Sequence, residues 1–238
     1  MKKYAMLSLM AVLALGACDD DDDDSLGPSN SAEIRVVNAS AGVPSVGLFR
    51  GGNQLVGGVI FQTASSCSNL QRVPAGQQTL EFRATANAAT TKKVQANFVA
   101  GERYTVVLLG PANNLQAYVL QDQNTTVTAS DNNNRLRFIN ATPTAGDIYW
   151  TTAGGTIGGT ANVANLGSGA STTGATLYQN VPNTNVRFRM TNVGSTTARG
   201  DYTINTTTNF PASRNATIVF TDAATGSTTT GFQINNCT

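Results

Sequence analysis

The side chains that could carry out acid–base or covalent chemistry are few in this sequence. Its 238 residues include no histidine, which removes the most common general base and the most common zinc or copper ligand. A serine or cysteine nucleophile would have no imidazole to activate it, and the sequence contains neither G-x-S-x-G nor S-x-x-K. Nucleophilic catalysis is therefore not expected.

Carboxylates are the remaining candidates for catalysis. Outside a run of six aspartates, the acidic residues are Glu33, Glu81, Glu102, Asp122, Asp131, Asp147, Asp201 and Asp222. They are scattered singly, whereas glycoside hydrolysis needs two carboxyl groups flanking one cleft. The sequence therefore predicts a protein that is not an enzyme and that has no catalytic residue, metal site or cofactor. Hydrolysis of an envelope polysaccharide is the less favoured alternative.

Cys18 is the residue whose surroundings predict a specific modification. Residues 1–17 begin with two lysines, continue with an apolar stretch from Ala5 to Leu15 and end in small residues, as a secretory signal peptide does. Leu15-Gly16-Ala17-Cys18 resembles the bacterial lipobox. That resemblance implies that the Cys18 sulfur receives a diacylglycerol and that cleavage leaves Cys18 as the first residue. Several acyl chains, such as palmitate, hold a protein on a membrane where one chain would not. The alternative is a cleaved signal peptide with an incidental cysteine.

Six consecutive aspartates, Asp19 to Asp24, follow Cys18 directly. Because neighbouring like charges repel and no apolar residue is present to bury, residues 18–30 are predicted to form an extended, solvated tether. A calcium loop would interleave its oxygen ligands with a turn glycine and end in a bidentate glutamate, but Gly27 follows a homopolymer and the first glutamate is Glu33. The run also resembles sorting signals of envelope lipoproteins. We therefore expect lipid anchoring in a bacterial cell envelope, on either the periplasmic face or the cell surface.

The charge of the remaining chain argues against a nucleic-acid partner. Beyond the leader and the aspartate run, 13 basic residues stand against eight acidic ones, and a nucleic-acid-binding face usually clusters more cations. Thr, Asn, Ser, Gly and Ala dominate, a composition that suits the exposed faces and turns of β-structure. The expected partners are the membrane, through Cys18, and an envelope protein or polysaccharide.

Two segments of the sequence resemble each other over five blocks in the same order. EIRVVNAS (33–40) returns as RLRFINAT (135–142), VGLF (46–49) as GDIY (146–149), LVGGV (55–59) as TIGGT (156–160), LQRVPAGQQTLEFR (70–83) as LYQNVPNTNVRFR (177–189), and FVAGERYTVVLLG (98–110) as FPASRNATIVFTD (210–222). Conserved order at a nearly constant displacement indicates an internal repeat. We predict two tandem domains, residues 31–125 and a more divergent copy at 133–238.

Each copy has the pattern of short strands separated by turns. Apolar residues alternate with charged ones around Arg35, around Arg83 and around Arg189, which buries one face of a strand and exposes the other. Turn signals include Gly51-Gly52-Asn53, Pro74-Ala75-Gly76 and Gly194-Ser195. About seven strands in each copy predict an all-β fold of two tandem antiparallel immunoglobulin-like β-sandwiches.

These blocks resemble the bacterial domain of unknown function 4397. The matching segments are Arg35 to Ser40, Pro44 to Phe49, Val73 to Gly76, Leu80 to Phe82 and Gly101 to Val107. The resemblance implies a secreted or lipid-anchored envelope protein without an assigned activity. Where the family usually has a histidine, this sequence has Asn38 and Asn140, and the family's strand aspartate is kept as Asp147 but is Gly47 in the first copy. Chemistry that needed that His and Asp should therefore be absent here.

Four arginines, at matching positions of the two copies, are candidates for ligand contact. Arg35, Arg83, Arg137 and Arg189 are predicted to face outwards, and a row of guanidinium groups would suit an acidic glycan, a phosphate or a carboxylate-rich partner. The alternative, which we favour, is cross-strand pairing with Glu33 and Glu81 and protection of sheet edges.

Trp150, the only tryptophan, is the best candidate for a sugar-stacking platform. Tyr149 and Trp150 are neighbours on one predicted strand, so one of them should point away from the core. A packing role for Trp150 is the alternative that we favour.

Cys67 and Cys237 are the two cysteines other than Cys18. Neither belongs to the repeat. In an oxidising envelope such a pair forms a disulfide or stays as two free thiols; a bond would fasten the end of the second copy to the first.

Replacing Cys18 with serine should remove the lipid, because a hydroxyl is not the thiolate nucleophile that the modification needs. We expect incorporation of labelled palmitate to be lost and the protein to leave the membrane fraction. Mass spectrometry of the mature wild-type protein showing an unmodified Cys18 sulfur would contradict the prediction.

Overall fold

The computed structural model describes residues 27–89, 91–122, 133–171, 178–182, 184–204, 215–222 and 229–235. Within them the chain forms β-strands and two single-turn 3-10 helices, Pro28–Asn30 and Cys67–Asn69. The predicted all-β class is confirmed. The leader, Cys18 and the aspartate run lie outside the described residues. In the described ranges no helix has the length and apolar character needed to cross a membrane.

The first half of the molecule, residues 31–122, forms two sheets. Its described strands are β1 (Ser31–Ala39), β2 (Ser45–Arg50), β3 (Asn53–Ile60), β4 (Thr63–Ala64), β5 (Gln71–Pro74), β6 (Gly76–Ala84), β7 (Thr91–Phe98), β8 (Arg103–Leu109) and β9 (Gln116–Asp122). One sheet has the order β4-β1-β8-β9, with β5 also pairing with β1, and the other has the order β3-β2-β6-β7.

Strands β1 and β8 pair in parallel, with Glu33 opposite Arg103 and Ala39 opposite Leu109. This corrects the expectation of purely antiparallel sheets. A parallel pair needs a long crossover connection, and the chain between β1 and β8 provides it because β2, β3, β6 and β7 make up the second sheet.

The predicted turn at Gly51-Gly52 closes the hairpin between β2 and β3. Both glycines have positive φ, 55° and 92°, as a two-residue hairpin turn with the twist of the flanking strands requires. The two glycines thereby keep the hairpin short and in the plane of its sheet.

The second half, residues 133–235, repeats this strand order. Its described strands are β10 (Asn133–Asn140), β11 (Gly146–Thr152), β12 (Val163–Leu166), β13 (Gln179–Pro182), β14 (Val186–Asn192), β15 (Ala198–Ile204), β16 (Asn215–Asp222) and β17 (Thr229–Asn235). Strands β10 and β16 pair in parallel, as β1 and β8 do. The domain boundaries that we predicted stay a prediction, because residues 123–132 lie outside the described residues.

The strands of the second half form one continuous sheet with the order β12-β11-β14-β15-β17-β16-β10-β13. A short parallel contact between β15 and β17, with Gly200 opposite Thr229 and Asp201 opposite Thr230, joins its two groups of four strands. Gly200 allows this approach, since a Cβ at that position would lie 2.6 Å from the Thr229 carbonyl oxygen. The expectation of two separate sheets is thus corrected for this half.

The described residues form three hydrophobic cores. One fills the space between the two sheets of the first half, and another fills the fold of the second half. The third, which we call the inter-half core, is made by residues of both halves: Val37, Ala39, Val107, Leu109, Ile139, Ala141, Val219 and Ile234. Strands β1, β8, β10 and β16 are therefore buried on both faces.

Truncating a residue of the inter-half core should destabilise the whole protein. Ile139 is 2% exposed and Ile60 is 57% exposed, so the same substitution can be compared in both environments. Ile139→Ala should lower the free energy of unfolding in urea by about 2–4 kcal/mol, because it leaves a cavity. Ile60→Ala should change it by less than about 0.5 kcal/mol. Equal effects of the two substitutions would contradict the burial of Ile139.

Candidate functional site

Arg35 and Arg137 are buried, with 1% and 0% of their surface exposed. Our prediction that these two arginines face solvent is wrong. Each points away from the core of its own half, as predicted, but that face packs against the other half instead of facing solvent. The alternation in the sequence identified the correct face and could not show what covers it.

The two guanidinium groups share one carboxylate, that of Asp122. Arg137 Nη2 donates to Asp122 Oδ1 at 2.8 Å. Arg35 Nε lies 3.7 Å from Asp122 Oδ2 and donates to the Thr105 hydroxyl at 2.8 Å. That hydroxyl in turn donates to the Asp122 carboxylate at 2.8 Å. We call Arg35, Thr105, Asp122 and Arg137 the buried ion network.

Each arginine also crosses to the last strand of the opposite half. Arg35 donates to the Asn235 carbonyl oxygen in β17, and Arg137 donates to the Gln121 carbonyl oxygen in β9 at 3.2 Å. The pairing registers show that Gln121 and Asn235 occupy equivalent positions. The two halves are thus related by an approximate twofold arrangement, and the Asp122 carboxylate lies on the side of the first half.

Burial lowers the pKa of the Arg35 guanidinium. The Asp122 carboxylate opposes this shift, and the positive charge of Arg137 adds to it. A guanidinium remains protonated in proteins, so the network holds two positive charges and relies on the carboxylate between them. The ring of Tyr178 lies 5.7 Å from the Arg137 guanidinium and adds a cation–π contact.

The predicted row of four outward arginines is therefore not formed. Arg189 is also buried, and it donates to the Thr151 hydroxyl at 2.5 Å and to the Gly155 carbonyl oxygen at 2.7 Å. Arg83 alone of the four is partly exposed. It forms an ion pair with Glu81 at 2.7 Å, and its guanidinium lies 4.3 Å from the centre of the Phe49 ring.

Trp150 is partly buried and packs against the core of the second half. Its ring is stacked on Phe138 at a centroid distance of 5.7 Å and lies 6.3 Å from the ring of Phe188. Tyr149, on the opposite face of β11, is buried. These contacts give Trp150 a packing role and provide no support for a sugar-stacking platform at this position.

Asn38 and Asn140, at the positions of the family's histidine, are fully buried and structural. The Asn38 side chain donates to the carbonyl oxygens of Val43, at 2.8 Å, and Val59, at 3.2 Å, and accepts from the Ser40 amide. Asn140 makes the equivalent bonds to Thr144, Leu166 and Thr142. Each amide therefore fastens the loop after the first strand of its half.

Asp147, the retained strand aspartate, also serves the local fold. Its two carboxylate oxygens accept hydrogen bonds from the backbone amides of Asn165, at 2.7 Å, and Gly194, at 2.8 Å. It therefore joins strand β12 to the turn that follows β14, and both of its carboxylate oxygens are used within the fold.

Cys67 is disulfide-bonded. Its sulfur lies 3.9 Å from the Asn235 carbonyl oxygen, and Asn235 stands two residues before Cys237 in the sequence. Because Cys237 lies outside the described residues, its pairing with Cys67 stays a prediction.

A cleft of about 290 Å³ opens between the two halves, at the ends of β8 and β16. We call it the inter-half cleft. The first half contributes Pro111, Asn114 and Gln116 to its walls, and the second contributes Pro143, Ser168 and Asp222. In the described part of the chain, no group of three or more acidic, cysteine or histidine side chains is placed to hold a metal ion.

Sequence reasoning did not identify the residues that matter most here, namely Thr105, Asp122 and the cleft residues. The apolar run Val106 to Leu109 was the available signal, because a strand buried on both faces lacks alternation. Such a run predicts that a second layer covers the sheet.

Comparisons with known proteins match this chain to a protein family and to several solved structures. The family described as "Domain of unknown function (DUF4397)" matches residues 32–151. A crystal structure of the CBM26 module CBMbc from Eubacterium rectale Amy13K, in complex with maltoheptaose, is 12% identical over 87% of this chain and 97% of that chain, with a TM-score of 0.25. That score is too low to indicate a shared fold or ligand. No curated relative matches the sequence.

Removing the shared carboxylate should cost far more stability than removing an exposed one. Asp122→Ala would leave two buried guanidinium groups without their common partner, and we expect a loss of about 3–5 kcal/mol in the free energy of unfolding. Asp201→Ala is the matched control, because its ion pair with Arg187 is partly exposed and should contribute less than about 1 kcal/mol. Comparable losses, measured by urea unfolding, would show that the network does not hold the halves together.

Proposed function

We propose that this chain, which belongs to the DUF4397 family, is a non-catalytic lipoprotein of the bacterial cell envelope. In this proposal Cys18 carries the lipid and the aspartate run is a solvated tether. The two packed halves form one rigid body that binds an envelope polysaccharide or protein. The family description assigns no activity, so the proposal rests on the residues of this chain.

The packing of the two halves is the observation that carries the proposal. Two domains joined only by a linker would change their relative orientation. Here a common core and a buried ion network fix the loops of the two halves relative to each other. Binding residues are commonly found on loops that a rigid scaffold positions. The inter-half cleft lies where loops of both halves meet, so its shape depends on that packing.

The use of the carboxylates supports a non-catalytic role. Asp122 and Asp147 are bound within the fold, and Glu33, Glu81 and Asp201 form ion pairs with neighbouring arginines. Asp222 lines the inter-half cleft, and it is the one carboxylate among the described residues of that lining. General acid–base hydrolysis of a glycoside needs two.

The proposal predicts membrane attachment without turnover. Purified lipidated protein, incubated with polysaccharide isolated from the envelope of its host, should produce no new fragments detectable by size-exclusion chromatography. When host cells are lysed and fractionated, the protein should sediment with the membranes. The Asp222→Asn variant is the control for hydrolysis that depends on the carboxylate in the cleft. Fragments that appear with the wild-type protein and disappear with Asp222→Asn would contradict a non-catalytic role.

A further inference from the structure

We propose that the inter-half cleft binds an N-acetylated amino sugar, as a single residue or as the end of a glycan. This proposal rests on the proposed function, because it names the ligand class for the same rigid body. It depends on the lining of the cleft, its charge and its size.

The cleft lies on the approximate twofold axis between the halves. The strand registers make Leu109 and Gly110 of the first half equivalent to Thr221 and Asp222 of the second, and all four line the cleft. The two sides therefore share a backbone frame and differ in side chains. One wall carries a carboxylate where the other has only a glycine.

Apolar side chains form one part of the wall. Leu109, Pro111, Ala141 and Pro143 all line the cleft. A sugar ring has an apolar face formed by its C–H groups, and an acetamido group adds a methyl. Burying these groups against aliphatic side chains is favourable because it removes apolar surface from water. An N-acetylated sugar thus fits such a wall better than a simple hexose.

Polar groups form the rest of the wall. Asn114 and Gln116 bring side-chain amides. The Ser168 hydroxyl donates to the Thr142 carbonyl oxygen at 2.7 Å, so it can serve a ligand as an acceptor. An amide side chain can donate to the acetamido carbonyl oxygen and accept from its N–H. Asp222 accepts one hydrogen bond from the Thr229 hydroxyl, at 3.1 Å. A carboxylate has further lone pairs, so Asp222 can also accept hydrogen bonds from sugar hydroxyls.

The charge of the cleft favours a neutral ligand. Asp222 is an anion, and no lysine or arginine is among the described residues that line the cleft, which disfavours a phosphate or carboxylate ligand. The Arg199 guanidinium lies beside the cleft, where it donates to the hydroxyl of Thr142 at 3.1 Å. Burial lowers the pKa of Arg199, and the Asp222 charge opposes this shift. Because Arg199 partly balances the Asp222 charge, a cationic ligand would be attracted only weakly.

Size restricts the ligand to one or two sugar residues. The cleft volume of about 290 Å³ is at the lower end of small-ligand sites, which begin at roughly 300 Å³. Tyr118, 37% exposed, stands beside it and donates to Gln116 Oε1 at 2.9 Å. Gly169 of the second half packs against both, since a Cβ there would lie 2.5 Å from Gln116 Oε1 and 2.8 Å from the Tyr118 hydroxyl. This phenol ring is placed to contact a second sugar residue.

Two β-1,4-linked trisaccharides test the proposal by isothermal titration calorimetry. The probes are chitotriose, which carries three acetamido groups, and cellotriose, which has hydroxyls in their place. The protein is the full chain carrying Cys18→Ser to remove the lipid. We expect saturable binding of chitotriose and binding of cellotriose that is weaker by about tenfold or more. No heat with chitotriose, or equal affinity for both probes, would overturn the proposal.

Substitutions in the inter-half cleft test whether chitotriose binds there. Asp222→Asn and Asn114→Ala should each weaken chitotriose binding by about tenfold, and Asn114 lies in an exposed turn, so its loss should leave the fold intact. Asp201→Asn, an exposed carboxylate that does not line the cleft, is the matched control and should bind as the wild type does. Unchanged affinity of both cleft variants would overturn the assignment. If chitotriose does not bind while the lipidated protein still attaches to membranes and shows no turnover, the proposed sugar ligand is rejected and the proposed function is retained.

Discussion

The fold depends on one carboxylate shared by two buried arginines. Asp122 lies between Arg35 and Arg137, and each arginine comes from the first strand of a different half. Charges removed from water are costly unless they are paired and hydrogen-bonded. Each half alone would expose one arginine among the apolar side chains of the same sheet face. Packing the halves together satisfies both guanidinium groups and buries those apolar side chains at once, so the electrostatic and hydrophobic contributions favour the same arrangement.

That requirement explains the rest of the architecture. The parallel pairs β1–β8 and β10–β16 meet at the inter-half core, and parallel strands are usually covered on both faces. Where the family pattern has a histidine and an aspartate, Asn38, Asn140 and Asp147 form hydrogen bonds that fix the local backbone. Where the loops of the two halves meet, the inter-half cleft remains open, lined by residues of both.

The sequence predicted local features well and long-range ones poorly. Alternation around Arg35 and Arg83, and the glycine pair Gly51-Gly52, identified strands and a turn, because these depend on neighbouring residues. The same alternation assigned Arg35 and Arg137 to solvent, since it defines two faces of a strand without showing what covers them. The partner of both, Asp122, is one of eight scattered carboxylates and has no local signature. The cleft could not be predicted either, because its walls come from segments far apart in the chain.

Native-state hydrogen exchange tests most directly whether the two halves are one cooperative body. Amides of β1 and β8 and those of β10 and β16 lie on opposite sides of the inter-half core. If the halves unfold together, the slowest amides on both sides should report the same free energy of opening, equal to that of global unfolding. Two distinct values, with one half opening while the other stays protected, would contradict the account.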